Sequence, residues 1–343
     1  MKTILSLFTV LLVAGNVQAD TSIVYEGDSG PGLGKHIVFL ASDHEYRAEE
    51  TCPALARILA KHFGFKCTVV FGVDKDGYIE AGSSNISGLE ALKDADLFFI
   101  FARFLNPPDD EMAQVEAYLG RGGPVVGLRT SSHAFKIPGN STYAKYDFKS
   151  KAEGYKNGFG EQILGNTWVG HYGTNHKQGT RIQLIPEQKD SVILSGVSDN
   201  AFTYAGGYVG KPGPDFTVLT NSQPLVSMDP AADPDPEKAP MPSTWTRHYE
   251  TKDGKKHRVF HSTQGASEDI LDKNYRRLIV NGTLWALGME DAIKPDLDIS
   301  FVGPYHPNTH SFEGHAKMVK PSDLAGWDSP IMPAREAEEA PKK

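Results

Sequence analysis

A short apolar run, Pro124–Leu128, passes without a spacer into Arg129-Thr130-Ser131-Ser132-His133. In an α/β sheet such a strand-to-turn junction sets side chains at the carboxyl edge, where ligands bind. Many hydrolases carry a Cys or Ser nucleophile there on a sharp elbow. This junction has no cysteine, and the Gly-x-Ser-x-Gly pattern is absent, which argues against a serine hydrolase. His133 can act there as general base, general acid or metal ligand, or bond a backbone carbonyl as an ordinary loop residue. Arg129 can hold an oxyanion or a polyol by forked hydrogen bonds, or pin a loop through a buried ion pair. Ser131 adds a hydroxyl beside them.

Other clusters have suitable chemistry. Asp43-His44-Glu45 joins carboxylates to an imidazole, so His44 can move a proton and Glu45 can bind sugar hydroxyls. One of the three is also expected to cap the helix that follows. Arg103 ends a further apolar run and shares the two readings given for Arg129. The stretch Trp168–His176 (WVGHYGTNH) offers Trp168 and Tyr172 for stacking on a sugar ring. Its histidines, His171 and His176, are spaced for a loop rather than one helix face, and neutral imidazoles suit zinc. His261, Thr263 and Gln264 end a late strand and could face the same pocket. His306, His310 and His315 lie in a Pro-broken tail and read as unstructured.

These residues need a scaffold, and the hydropathy pattern supplies one. Lys35–Ser42, Lys66–Phe71, Asp96–Ala102 and Val125–Leu128 read as strands, and the unbroken apolar run of the third suits a strand buried on both faces. Glu49–Phe63, Ser87–Lys93 and Asp109–Leu119 read as the intervening helices. Such alternation with short links implies right-handed βαβ units and a parallel sheet. The three clusters after strands one, three and four then meet at one edge. Further on, Thr180–Pro186, Thr217–Thr220 and Pro224–Met228 read as strands. Ser243–Tyr249 and His257–Thr263 read as a pair around Asp253-Gly254, and Asn274–Leu287 as a helix stopped by Gly288.

The chain has 343 residues, with 35 Lys and Arg against 43 Asp and Glu. An acidic balance without basic blocks argues against a nucleic-acid partner. Residues 1–19 read as a secretory signal peptide cleaved after Ala19, which implies a secreted or periplasmic protein with no membrane partner after cleavage. Residues 20–34 read as a flexible lead-in, 35–290 as the folded domain and 291–343 as an extended tail with a disordered end. Cys52 and Cys67 fit either a disulfide or two buried thiols.

Four stretches carry a family resemblance: HIVFLASDHEYR, GRGGPVVGLRTSSHAF, the pair Trp245-Thr246-Arg247 with RVFHSTQG, and the helix YRRLIVNGTLWALG. Together they resemble the ThuA-like (trehalose utilisation) family of the class I glutamine amidotransferase-like superfamily. The resemblance implies an α/β, flavodoxin-like three-layer sandwich with a mainly parallel sheet. It implies that the superfamily's nucleophilic cysteine is lost, with Arg129 in its place, so glutamine amide hydrolysis is not expected. It implies a role in carbohydrate catabolism, chiefly of oxidised (3-keto) glycosides. The expected catalytic residues are His133, His44 and Arg129, with Glu45, Arg103, Ser131, Trp168, Tyr172 and Gln264 binding substrate. No cofactor is specified, and a divalent metal on His176 and His171 is an option. A carbohydrate-binding protein without catalysis and a metal-dependent hydrolase are the alternatives.

Overall fold

The computed structural model describes residues 21–332. The signal peptide expected at 1–19 and the disordered end expected at 335–343 lie outside the described residues. Among the described residues, no helix is long and apolar enough to cross a membrane.

The strands are β1 (Ser22–Glu26), β2 (His36–Ser42), β3 (Lys66–Phe71), β4 (Leu97–Ala102), β5 (Val125–Leu128), β6 (His171–Tyr172), β7 (Thr180–Leu184), β8 (Ala201–Thr203), β9 (Gly207–Tyr208), β10 (Thr217–Pro224), β11 (Met241–Glu250) and β12 (Lys256–Ser262). The α-helices are α1 (Ala48–Phe63), α2 (Asp109–Gly120) and α3 (Lys273–Ala286). Ten strands form one sheet in the order β1-β3-β2-β4-β5-β12-β11-β10-β7-β8, while β6 and β9 pair separately. From β3 to β12 the neighbours run parallel. Beyond β12, and at β1, they run antiparallel. The sheet is therefore mixed, and its parallel part carries the clusters singled out above.

Alternation along β2 shows how the layers form. Ile37, Phe39 and Ala41 join one apolar cluster with α1 and α3, while Val38 and Leu40 join another with α2. β4 is buried at every position, as its LFFIFA sequence requires. Asp272 caps α3 by accepting from Asn274 N at 2.8 Å and Tyr275 N at 3.0 Å.

Several segments depart from their sequence reading. Residues 22–26, within the expected flexible lead-in, form edge strand β1, because Ile23 and Tyr25 bury against the core. Thr217–Thr220 opens a longer strand, β10, and of the segment read as a strand at Pro224–Met228 only Pro224 belongs to it. The short β8 and β9 were not legible, being too brief to show a period. Cys52 and Cys67 are buried free thiols.

Most consequential is the segment after α3. It has almost no regular secondary structure, yet Ile293, Ile299, Leu324, Ile331 and Met332 belong to the main core. Arg57 of α1, fully buried, fastens it by donating to Ser329 O and Leu324 O, each at 2.7 Å. The tail is a strap held by a buried guanidinium and by a few backbone hydrogen bonds of its own, such as Ile331 N to Pro304 O at 3.0 Å. Replacing Arg57 with Ala removes charge-assisted bonds of about 1.5–3 kcal/mol each. Arg57→Ala is expected to lower the unfolding midpoint and to expose residues 297–332 to limited proteolysis; wild-type cleavage kinetics there would count against the strap.

Candidate functional site

Loops from β2, β4, β5 and β12 meet at the carboxyl edge of the parallel strands, joined by the β6–β9 hairpin and the strap. At the centre lies Arg129, fully buried. Its φ of 44° is left-handed, a conformation that non-glycine residues seldom adopt. An elbow of this kind lifts a nucleophile in hydrolases; here it turns a guanidinium into the protein. Arg129 Nη1 donates to Gly206 O at 2.7 Å and Thr263 O at 3.2 Å. The guanidinium carbon sits 3.6 Å from the Tyr46 ring centroid and 4.8 Å from that of Tyr208. Burial works to lower its pKa, but Tyr46, Tyr208 and Asp269 outweigh that, so the group stays charged. Arg129, expected to touch substrate, is fully buried against the two tyrosine rings, with Nε and Nη2 left without a hydrogen-bond partner among the described residues.

Asp269 completes this foundation. Its buried carboxylate accepts from Tyr204 N, Ala205 N, Gly265 N and Ala266 N at 2.8–3.2 Å. It thus ties the loop before β9 to the turn after β12, the two segments whose carbonyls hold Arg129. Burial raises its pKa, with Arg129 and the backbone donors pulling the other way. No sequence motif marked this residue.

Around that centre stand imidazoles and aromatic rings. His133 is 1 % exposed, with Ser132 Oγ 3.1 Å from its Nδ1. Its ring lies 4.9 Å from Phe104, 5.4 Å from Trp168 and 5.6 Å from Tyr208. Burial, followed by Arg103 and Arg129, pushes its pKa well below the usual range. His44 is half-buried across Phe104, at 6.2 Å, and burial lowers its pKa too, with Arg103 adding to the effect. Glu45 and Arg103 form a buried ion pair, and the Arg103 guanidinium lies 5.2 Å from both the Phe104 and the Phe312 rings. Asp43 Oδ1 accepts from the Glu45 and Tyr46 backbone, so Asp43 fixes the turn.

The candidate metal ligands are engaged separately. His171 Nε2 is 3.1 Å from Tyr46 Oη, and the His176 ring stacks on His310 at 4.3 Å. Among the described residues, no group of three or more His, Cys, Asp or Glu side chains is arranged to hold a metal.

Four more expectations are redirected. Ser131 Oγ donates to Ile100 O at 2.7 Å, so it ties the turn after β5 to β4. Tyr172 Oη donates to Ala239 O, clamping the Pro-rich loop away from the imidazoles. His261 lies in the core, with Nδ1 2.9 Å from Gly127 O and its ring 4.9 Å from Trp245. Gln264 is buried beside Gly207, where a Cβ would come within 2.8 Å of its Nε2, so it packs under the β9 turn.

The strap supplies what the sequence reading missed. His310, read as part of an unstructured tail, is 1 % exposed and stacks on Tyr46 at 5.3 Å. Burial lowers its pKa to about 3. A cavity of about 250 Å³ opens beside His44, lined also by Glu80, Ala81, Phe312, Glu313 and His315. Only the count of histidines in the tail hinted at this.

No family model and no curated protein matches the sequence. Among solved structures, the chain is similar to a protein from Bacteroides uniformis described as ThuA-like, with 16% identity over 79% of this chain and 98% of that one, TM-score 0.46. A second protein described as ThuA-like, from Parabacteroides merdae, is similar at 13% identity over 82% and 97%, TM-score 0.41. The N-terminal domain of mmIFT52 is similar at 11% identity over 74% and 97%, TM-score 0.40. The first two bear the name of the family that the sequence resembles.

Asp269→Asn puts an amide in place of an oxygen that accepts two backbone N–H groups, leaving buried donors unmet at about 1–3 kcal/mol each. The variant is expected to unfold at lower denaturant and to lose protection from hydrogen exchange at 204–206 and 263–266 selectively. Uniform protection across those segments would contradict the role given to Asp269.

Proposed function

We propose that this chain, exported by its amino-terminal leader, is a ThuA-like enzyme acting on an oxidised (3-keto) glycoside by acid–base chemistry. The flavodoxin-like, glutamine amidotransferase-like reading of the fold belongs to the same proposal and is supported by the helix layers on both faces of the parallel strands. The observation that carries the reaction is the pair of imidazoles, His44 and His133, both close to the Phe104 ring, at 6.2 and 4.9 Å, with Arg103 of the Glu45–Arg103 pair acting on both. Aromatic faces pack against the C–H face of a sugar ring, and forked polar groups bind its hydroxyls.

A carbonyl on the ring acidifies the neighbouring C–H. A neutral imidazole accepts that proton while the C–H electron pair moves toward the carbonyl oxygen, which becomes an enolate. Arg103, behind the Phe312 ring, can stabilise the developing negative charge. The proton then returns to another carbon, or the electron pair expels a substituent at the adjacent carbon. His44 lines the open cavity and is the better placed base. His133 lies deeper, against Trp168, and orients or relays.

General-base catalysis contributes about 10²–10⁴-fold. His44→Ala is expected to lower kcat on a 3-keto-disaccharide by that order with folding intact, and His133→Ala by a smaller factor. The base works unprotonated, and burial lowers its pKa, so the acid limb of kcat/KM should fall below the unperturbed histidine value of 6.5. Full activity in both variants would overturn the assignment; sugar binding without turnover would favour a carbohydrate-binding protein.

A further inference from the structure

The cavity beside His44 is built largely by the strap. Phe312 is 58% exposed, although large apolar side chains are ordinarily withdrawn from water. Its position is held from behind. Ser311 N donates to Glu45 O at 2.9 Å, and Arg47 donates to Ser311 O. Four residues earlier, Asn308 donates to both carboxylate oxygens of buried Glu50, at 2.7 and 2.8 Å. The strap is thus anchored on both α1 and the β2 loop, and the ring is presented outward, 5.6 Å from the His44 ring.

We infer that this strap forms a subsite for one neutral sugar ring, with Phe312 as its stacking platform and Glu80 and Glu313 as acceptors for its hydroxyls. The inference rests on the sugar-acting reading above and names the place where the ring sits. The volume of about 250 Å³ falls just under the roughly 300–1,000 Å³ of drug-sized sites, which suits one ring rather than an oligosaccharide. Two carboxylates in the lining disfavour an anionic ligand. Arg103 already lies 5.2 Å from the Phe312 centroid, so a second cation on that ring would be repelled. Glu80 is oriented by His315 Nε2 at 3.3 Å and approached by Lys317 at 3.8 Å, while half of its side chain remains open to a ligand. A polyhydroxylated, uncharged ring satisfies all of these groups, and its carbonyl would lie within the reach of His44.

The test is calorimetric binding of 3-keto-trehalose, glucosamine and gluconate to the purified protein, with turnover of 3-keto-trehalose followed in parallel. Phe312→Ala is expected to weaken 3-keto-trehalose binding roughly tenfold, and Phe312→Trp to restore it. Both variants should melt with the wild type, since the ring is exposed. Unchanged affinity in Phe312→Ala, with turnover intact, would overturn the subsite and leave the enzymatic reading standing. Preference for glucosamine or gluconate would overturn the neutral-ring assignment. Wild-type protein that neither binds nor turns over 3-keto-trehalose would overturn both.

Discussion

A guanidinium with no water around it has to be satisfied by the protein, and Arg129 makes that demand at the point where four loops converge. Two carbonyls accept from its Nη1, and two tyrosine faces and the field of Asp269 offset the charge, while Nε and Nη2 have no hydrogen-bond partner among the described residues. The partners come from four segments: the β2 loop (Tyr46), the run into and along β9 (Gly206 and Tyr208), the turn after β12 (Thr263) and the segment before α3 (Asp269). Satisfying one charge therefore fixes the relative positions of all of them. The left-handed backbone at Arg129 costs about 1–3 kcal/mol and is held in place by the same contacts.

That foundation sets the electrostatics above it. Burial, with positive charge at Arg103 and Arg129 added to it, keeps His133 unprotonated. His310 is kept neutral by burial, then Arg129, and lies flat between Tyr46 and His176. The result is an edge where burial holds His44, His133, His171 and His310 below the usual histidine range, as bases rather than cations. The aromatic rings around them exclude water and leave apolar faces for a ligand.

How much of this was legible follows from how far each interaction reaches along the chain. β2, β3, β4 and β5 could be read because burial imposes its pattern within a few residues. The convergence of Glu45, Arg103 and His133 followed from strand order alone. The roles within the site were less accessible. Arg129 and Ser131 stand at the expected edge, but whether a side chain points outward or inward is settled by partners far away, such as Gly206 and Ile100. The strap was misread because its order comes from Arg57, Arg47 and Glu50 on α1 and just before it, and from no periodicity of its own. His310 and Phe312 were missed with it. Asp269 resembles any loop aspartate until its four backbone donors are seen.

The central claim is that this edge removes a proton next to a sugar carbonyl, and isomerisation, elimination and hydrolysis share that step. Mass spectrometry of a 3-keto-disaccharide incubated with the protein in deuterium oxide reads it directly. The account predicts protein-dependent uptake of deuterium at the carbon beside the carbonyl, above the rate in buffer. A substrate that occupies the site and exchanges no faster than in buffer would contradict it.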